Sequence, residues 1–206
     1  MSHIVIQDAL FKAESVRKLD QLATEQLVAS AGGPAEAATP NSQSIKLMKR
    51  AGRAAFNELL EAFGTASLIT VFCGSGNNAG DGYIVATLAA EKSLAVRVVE
   101  LSTPGKLSAD AALARDYAVN AGVIFAPYND AIDLSEGVVV DALLGIGATG
   151  PMREPYGAAI EMINQAALPV LAIDLPSGLY ADSGAAAEVA ISADVTVTFV
   201  AAKQGI

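Results

Sequence analysis

The 206 residues are 52% apolar, with no signal peptide and no run of about 18 apolar residues, so we expect one soluble, cytoplasmic domain over residues 1–206. The 22 acidic and 13 basic residues give a formal net charge of −9, the wrong sign for a nucleic-acid-binding surface. One histidine and the single Cys73 exclude an intramolecular disulfide and a zinc site, so any metal ion would be a hard cation held by oxygen.

Two amphipathic helices are predicted in the first third of the chain. Apolar residues, among them Val16, Leu19 and Leu22, recur at steps of three and four over residues 12–29, as a buried stripe requires. A second stretch with this spacing covers about residues 43–63. Between the two, residues 30–43 are rich in Gly, Pro, Ala and Ser, which predicts an exposed loop.

From residue 68 onward, short apolar runs alternate with helical segments. The predicted strands cover residues 68–74, 95–101, 122–126, 137–145, 168–178 and 193–201, and the predicted helices 80–92, 109–120 and 156–165. The runs are rich in β-branched residues and have little polar alternation, which is typical of a sheet covered by helices on both faces. This order predicts an α/β fold with a mostly parallel, doubly wound sheet.

Ligands of such sheets bind beyond the carboxyl ends of the strands, and three predicted strands end in polar residues there. The first is followed by Asn77, Asn78 and Asp81 between glycines, the fourth contains Asp141, and the fifth ends in Asp174, Pro176 and Ser177. Helix capping and local turns are alternative explanations for all of these except Asp141. An uncompensated carboxylate at Asp141 would cost several kcal/mol to bury, so it requires a partner, a cation or access to water. Together the three strand ends predict one site.

A glycine-rich segment, "GIGATGP", follows the strand that carries Asp141. Its glycines allow close approach of the backbone to a ligand and can present N–H groups to an anion. A flexible connection between strand and helix is the alternative. Arg153, just beyond, is a candidate phosphate partner, although a solvated position is the more common one for a loop arginine.

An NAD-dependent oxidoreductase is one alternative function. Gly74, Gly76 and Ala79 satisfy the G-x-G-x-x-G/A fingerprint, and Glu100 ends the next strand, close to where a ribose-binding carboxylate belongs. However, the fingerprint needs neither the two asparagines nor Asp81, which would put a carboxylate where the pyrophosphate should meet the helix. Two helices also precede the first strand, and no separate substrate domain is present.

The segments "GSGNNAGDGY", "VVVDALLGIG" and "AIDLPSG" resemble, in this order and spacing, the NAD(P)H-hydrate epimerases, the YjeF amino-terminal domain family. "AESVRKLDQLA" and "LMKRAGRAAF" resemble the family's opening helices, and "VTFVAAKQG" its late strand and lysine-glycine turn. The chain departs from the family at Ala79, where many members have glycine, and in its long 30–43 loop. It also stops soon after "AAKQG", where members usually continue, so we expect a C-terminal part to be missing.

The resemblance implies a three-layer α/β/α sandwich of Rossmann type, a homodimer, and a potassium ion held by Asn78, Asp141 and Ser177. It also implies contacts to the nucleotide from Asn77, Asn78, Ala79, Gly80, Asp81, Gly145, Ile146, Gly147, Ala148, Thr149, Gly150, Pro151 and Asp174.

The implied reaction is the interconversion of the R and S forms of hydrated NADH and NADPH (NADHX and NADPHX) at C6, an isomerase step in nucleotide repair. The expected acid/base is Asp174, with Asp141 as the second choice. Members are often fused to an ADP- or ATP-dependent dehydratase. Similar domains also occur as non-catalytic scaffolds, but a scaffold has no need to keep all three strand-end motifs, so we favour the enzyme.

Overall fold

The computed structural model describes residues 10–30, 40–64, 66–147, 150–201 and 203–204. Within those ranges, the helices and strands from residue 69 onward follow one another in the predicted order. The helices are α1 (Ala13–Ser30), α2 (Pro40–Phe63), α3 (Asn77–Glu91), α4 (Ala109–Asn120) and α5 (Tyr156–Ala166). The strands are β1 (Ile69–Cys73), β2 (Val96–Glu100), β3 (Ile124–Pro127), β4 (Val138–Ala142), β5 (Val170–Ile173) and β6 (Val195–Val197). Among these helices, none has the length and apolar character needed to cross a membrane.

The six strands form one sheet in the order β3-β2-β1-β4-β5-β6, and every neighbouring pair is parallel. This confirms the predicted doubly wound sheet. The direction of winding reverses between β1 and β4, which is where such sheets bind ligands. At that point the loops after the two strands touch, because the N–H of Gly74 donates to the carbonyl of Ala142 at 3.1 Å. A Cβ atom on Gly74 would lie only 2.0 Å from the carbonyl oxygen of Leu143, so this approach requires glycine.

Both faces of the sheet are covered. Successive residues of a strand point to opposite faces, so Val71 and Phe72 belong to different hydrophobic clusters. Val71 packs with residues of α2, α3 and α4, whereas Phe72 packs with residues of α5. All residues of β1, β4 and β5 are buried, as their β-branched, apolar sequences predict for central strands. The result is the expected three-layer sandwich.

The amino-terminal helices differ from their prediction in two respects. Ala13 and Val16 of α1 are buried, but Leu19 and Leu22 are 37% and 44% exposed, so the predicted buried stripe is wrong at these two positions. The reason is that the start of α1 packs against the loops after β4 and β5, whereas Leu19 and Leu22 lie at the surface. The predicted 30–43 loop is shorter, because α1 ends at Ser30 and α2 begins at Pro40; residues 31–39 lie outside the described residues.

Candidate functional site

The segment of paired asparagines is helical. Helix α3 begins at Asn77, three residues before the predicted start, and Gly76 precedes it in an extended conformation, with φ −89° and ψ −168°. Asn77 and Asn78 therefore occupy the first turn of α3 and are not left-handed turn residues. Because side chains in a first helical turn leave in different directions, the two asparagines have different surroundings: Asn77 is exposed and Asn78 is buried.

Asp141 lies at the centre of the site, on β4 and fully buried. Its carboxylate accepts three hydrogen bonds: from the backbone N–H of Ser177 to Oδ2 at 2.8 Å, from the Ser177 hydroxyl to Oδ1 at 2.6 Å, and from the N–H of Leu143 to Oδ1 at 3.1 Å. Burial raises the pKa of Asp141 to about 6 from its ordinary value of 3.8, although the hydrogen bonds from Ser177 and Leu143 act in the opposite direction. The sequence-based expectation that Asp141 needs partners is confirmed.

Asn78 and Ser177 meet at the backbone of Leu144. The side-chain amide of Asn78 donates to the carbonyl oxygen of Leu144 at 2.8 Å, and the N–H of Leu144 donates to Oγ of Ser177 at 2.9 Å. These contacts join the start of α3, the end of β4 and the loop after β5. The other amide atom, Oδ1 of Asn78, is buried and has no hydrogen-bond partner among the described residues. An unsatisfied buried acceptor costs about 1–3 kcal/mol, which points to a donor or cation at this position.

Asp174 lies at the carboxyl end of β5, in a left-handed backbone conformation with φ +68°. Its backbone N–H donates to the carbonyl oxygen of Val197 at 2.7 Å, which fixes the turn against β6. Its side chain is 17% exposed, and Oδ1 accepts a hydrogen bond in an ion pair with the ammonium group of Lys203. The residue is thus held firmly while part of its side chain stays exposed.

The second oxygen of Asp174 and the side chain of Asn78 are neighbours across Gly145. A Cβ atom built on Gly145 would lie 3.3 Å from Cβ and 3.7 Å from Cγ of Asn78, and 3.9 Å from Oδ2 of Asp174. The missing side chain of this glycine leaves space between the amide and the carboxylate. The structure therefore brings Asn78, Asp141, Asp174 and Ser177 together at one point, as predicted from the three strand ends.

The glycine-rich loop lines a cavity of about 330 Å³ beside this point. Its predicted members Gly147, Gly150 and Pro151 line the cavity, together with Arg153. The complete lining is Ser75, Leu144, Gly147, Gly150, Pro151, Met152, Arg153, Tyr156, Gly178, Leu179, Tyr180 and Ala187. Pockets for small ligands have volumes of roughly 300–1,000 Å³, so this one is at the lower end of the range.

The loop is held at both ends by hydrogen bonds to its carbonyl groups. The guanidinium of Arg17 on α1 donates to the carbonyl oxygen of Ile146 at 2.8 Å, and the hydroxyl of Tyr180 donates to the carbonyl oxygen of Gly150 at 3.1 Å. Ala148 and Thr149, which were also predicted to contact the nucleotide, lie outside the described residues.

The remaining predicted contacts lie on α3. The Oδ1 atom of Asn77 accepts a hydrogen bond from the hydroxyl of Ser108 at 2.8 Å, which connects α3 to the start of α4. Ala79 and Gly80 are buried, and a Cβ atom on Gly80 would lie 2.4 Å from Cε of Met48, so helices α2 and α3 are in close contact there. Asp81 is half-buried on the same helix. Direct contact of Asn77, Ala79, Gly80 and Asp81 with a nucleotide stays a prediction.

Glu100, which would bind the ribose in an NAD-dependent oxidoreductase, is bound instead to side chains of the protein. Glu100 accepts hydrogen bonds from Nε of Arg115 at 2.7 Å, from Nη2 of Arg115 at 3.1 Å and from the Tyr83 hydroxyl at 2.8 Å. It borders a separate cavity of about 360 Å³ at the carboxyl ends of β2 and β3, which also includes Tyr128. Since its oxygens are engaged by an ion pair and a buried phenol, Glu100 is poorly placed to bind a ribose.

Two features of the site were missed by sequence reasoning. One is the contact of Lys203 with Asp174, since the sequence places this lysine only in a segment that resembles the family. The other is the backbone of Leu143 and Leu144, whose two N–H groups and one carbonyl bind the polar side chains. A signal for the first was present in the sequence, because a lone lysine in an apolar segment requires an acidic partner if it is buried. No residue-type pattern identifies the second.

The fold defines a Rossmann-like α/β domain, and its candidate site lies at the carboxyl ends of the strands, beside the reversal point of the parallel sheet. The family described as YjeF-related protein N-terminus matches residues 44–205. The NAD(P)H-hydrate epimerase of Rhodopirellula baltica is 31% identical over 205 residues, covering 98% of this chain and 78% of that protein. The chain therefore belongs to the YjeF-related protein N-terminus family.

Longer relatives are named bifunctional NAD(P)H-hydrate repair enzyme Nnr. The one from Coxiella burnetii is 38% identical over 96% of this chain, and the one from Escherichia coli is 41% identical over 78%. This chain covers only 38% and 31% of those two proteins, so it spans about a third of their length. The crystal structure of yeast ynu0 has a TM-score of 0.76 and 18% identity, covering 96% of this chain and 82% of that one, which shows the same fold.

Proposed function

We propose that this chain is an isomerase that interconverts the R and S forms of NADHX and NADPHX at C6. One observation carries the proposal: three strand ends converge so that Asn78, Asp141 and Ser177 bind the backbone of Leu143 and Leu144, directly beside a cavity. A relative of which this chain covers 78% is named NAD(P)H-hydrate epimerase, and that name supports the reaction proposed for these residues. The comparisons offer no support for an oxidoreductase.

The chemistry requires an acid that becomes a base. C6 of the hydrate carries a hydroxyl group and is bonded to the ring nitrogen. A carboxylic acid gives its proton to the hydroxyl, which leaves as water while the nitrogen lone pair forms the C=N bond of an iminium ion. Water then adds to the opposite face of C6 and returns one proton to the carboxylate, so that atoms and charges balance over the cycle. A positioned acid/base of this kind contributes about 10²–10⁴-fold.

Of the two candidate acids, Asp174 is better placed to reach the substrate. Asp141 is fully buried, and both its oxygens accept hydrogen bonds from Ser177 or Leu143. Asp174 is partly exposed, and its Oδ2 faces the space left by Gly145. We therefore assign proton transfer to Asp174 and a supporting role to Asp141.

We also propose that Asn78, Asp141 and Ser177 hold a potassium ion. All three provide oxygen atoms, the donor type that a hard cation prefers, and the unpartnered, buried Oδ1 of Asn78 would gain a partner. The described residues contain no group of three or more His, Cys, Asp or Glu side chains that could hold a metal ion, so the proposed site depends on the amide of Asn78 and the hydroxyl of Ser177 beside a single carboxylate. When bound, the ion would supply positive charge beside the buried carboxylate of Asp141.

Three further aspects belong to the same proposal. The family resemblance and the bifunctional relatives suggest that the epimerase acts together with an ADP- or ATP-dependent dehydratase, fused to it or separate. The homodimer implied by the family resemblance stays a prediction, as does the cytoplasmic location. The presence of a dehydratase on the same or another chain does not alter the chemistry at C6.

The test of the function is direct. Purified R-NADHX is incubated with the protein in potassium buffer, and the S form is quantified over time by chiral chromatography against a protein-free sample, which records the spontaneous reaction. We expect epimerisation well above the spontaneous rate. A folded protein that leaves the rate unchanged, and whose melting temperature does not respond to NADP or ADP-ribose, would be a scaffold and not an enzyme.

A further inference from the structure

Lys203 is fully buried, which is rare for a lysine and requires compensation. Its ammonium group donates to three oxygen atoms: Oδ1 of Asp174, Oγ1 of Thr198 at 2.6 Å and the carbonyl oxygen of Phe199 at 3.1 Å. An ammonium group has three N–H donors, so each has a partner. With no donor left and no exposed surface, Lys203 cannot itself bind a substrate.

The position of Lys203 is fixed by a distant part of the chain. Its backbone pairs with Phe11 in a parallel bridge, and the N–H of Gln204 donates to the carbonyl oxygen of Phe11 at 3.1 Å. Phe11 lies two residues before the start of α1, whose first residue, Ala13, donates its N–H to the side chain of Asp182 at 2.6 Å. The segment before α1 therefore holds the lysine against the loop that follows β5.

The contact occupies only one oxygen of Asp174. Oδ1 accepts from Lys203 and, at 3.5 Å, from the backbone N–H of Phe199, whereas Oδ2 lies toward Gly145 and Asn78. Because both donors act on Oδ1, the carboxyl group cannot rotate freely, and Oδ2 is the oxygen left for a ligand. The ammonium also lies where it stabilises the negative charge that forms when Asp174 gives up a proton.

We propose that Lys203 is a positioning residue for the epimerase reaction: it holds Asp174 by Oδ1, directs Oδ2 at C6 of the substrate, and stabilises the carboxylate after proton transfer. The lysine keeps its three protons throughout. This inference rests on the function proposed above. It predicts that Lys203 affects the rate of the chemical step through Asp174 and has little effect on substrate binding.

The test is a double-mutant cycle on the full chain with R-NADHX as substrate. The turnover number kcat and the Michaelis constant KM are measured for the wild type, Lys203→Met, Asp174→Asn and the double variant. Folding is checked by circular dichroism and melting temperature. We expect Lys203→Met to lower kcat by roughly tenfold or more, with KM changed by less than about threefold. In the Asp174→Asn background the same change should alter kcat by less than about twofold, since the group it positions is gone.

A matched control comes from a second ion pair, between Arg115 and Glu100. Arg115→Met also removes a cation from a partly buried carboxylate, that of Glu100, which has no part in the proposed reaction. It should lower the melting temperature without changing kcat by more than about twofold. If Arg115→Met and Lys203→Met lowered kcat equally, general destabilisation would explain both and the positioning role would be wrong.

A gentler variant covers the case in which Lys203→Met does not fold. Thr198→Val removes one acceptor of the ammonium and leaves the cation in place, so kcat should fall a few-fold in the wild type and not in Asp174→Asn. Equal losses in both backgrounds, or unchanged kcat in folded variants of an active enzyme, would overturn the role of Lys203 alone. A wild type without epimerase activity would overturn the proposed function and this inference with it.

Discussion

Ser177 binds both carboxylate oxygens of Asp141, with its backbone N–H 2.8 Å from Oδ2 and its hydroxyl 2.6 Å from Oδ1. Asp141 lies on β4 and Ser177 in the loop after the neighbouring strand β5, so their contact joins the carboxyl ends of these two strands next to the reversal point of the sheet. A buried carboxylate with three donors is largely compensated, yet its pKa is still raised by burial. This balance makes Asp141 a measurable reporter of the site.

Stability in potassium-free buffer is expected to fall as the pH rises from about 4 to about 6. The pKa of Asp141 is about 6 in the folded protein and 3.8 ordinarily, so the folded chain keeps a proton that the unfolded chain releases. The contribution is fully present below pH 4 and is lost as the pH rises through about 6, for a total of about 3 kcal/mol. Urea unfolding at a series of pH values measures it.

Asp141→Asn is the control for that pH dependence, because it removes the titrating group and keeps an oxygen acceptor. Other carboxyl groups titrate in the same range, so the difference between the two proteins is the quantity of interest. We expect the difference in unfolding free energy to change with pH between 4 and 6 and to be constant above 7. Parallel curves over the whole range would show that Asp141 titrates normally.

Potassium is expected to raise the melting temperature at pH 8, where Asp141 is ionised. If the ion binds only the folded state at concentrations near 100 times its dissociation constant, the gain is about 2.7 kcal/mol, or several °C. Melting curves in KCl, NaCl and choline chloride at equal ionic strength measure the effect. In Asn78→Ala the buried oxygen is absent, and the difference between the salts should shrink. Identical curves for the wild type in all three salts would exclude a potassium site.

Asp174→Asn is expected to lower the rate of epimerisation of R-NADHX by about 10²–10⁴-fold, because the amide cannot transfer the proton. The matched control is Asp182→Asn, which changes an exposed aspartate in the same loop region. It should keep the rate within about twofold of the wild type, since its described partner is the N–H of Ala13. If folded Asp174→Asn is fully active, Asp141 becomes the leading candidate for the acid.

Gly145→Ala is expected to weaken nucleotide binding more than it weakens the fold. The new methyl group would fill the space between Asn78 and Oδ2 of Asp174, and its closest contact of 3.3 Å needs a shift of only a few tenths of an ångström. We expect at least a tenfold loss in affinity for NADP or ADP-ribose by calorimetry, with less than about 1 kcal/mol of destabilisation. Gly105→Ala, where no atom lies within 4 Å of the new group, controls for the substitution itself. Unchanged affinity in Gly145→Ala would place the ligand elsewhere.

Much of the fold was predictable because its signals are local. β-branched runs such as that of β4 and the amphipathic spacing of α2 are set by neighbouring residues, and both elements formed where expected. The start of α3 was predicted three residues late, since the glycines around Asn77 and Asn78 suggested a loop. In the structure Gly76 serves as the entry to the helix, and the amide of Asn78 is held by Leu144, a contact 66 positions away.

The sequence by itself determined the class of fold and the chemical character of the site, because the succession of strands and helices along the chain follows from local patterns and oxygen-bearing side chains at strand ends can be read directly. The tertiary structure alone decided which of those oxygens remain available. The partners of Asp174 and Asp141 are 29 and 36 positions away, and their hydrogen bonds depend on how separate loops pack. Burial and the assignment of donors to acceptors are properties of the packed chain, so they distinguish an accessible Asp174 from an enclosed Asp141 only after folding.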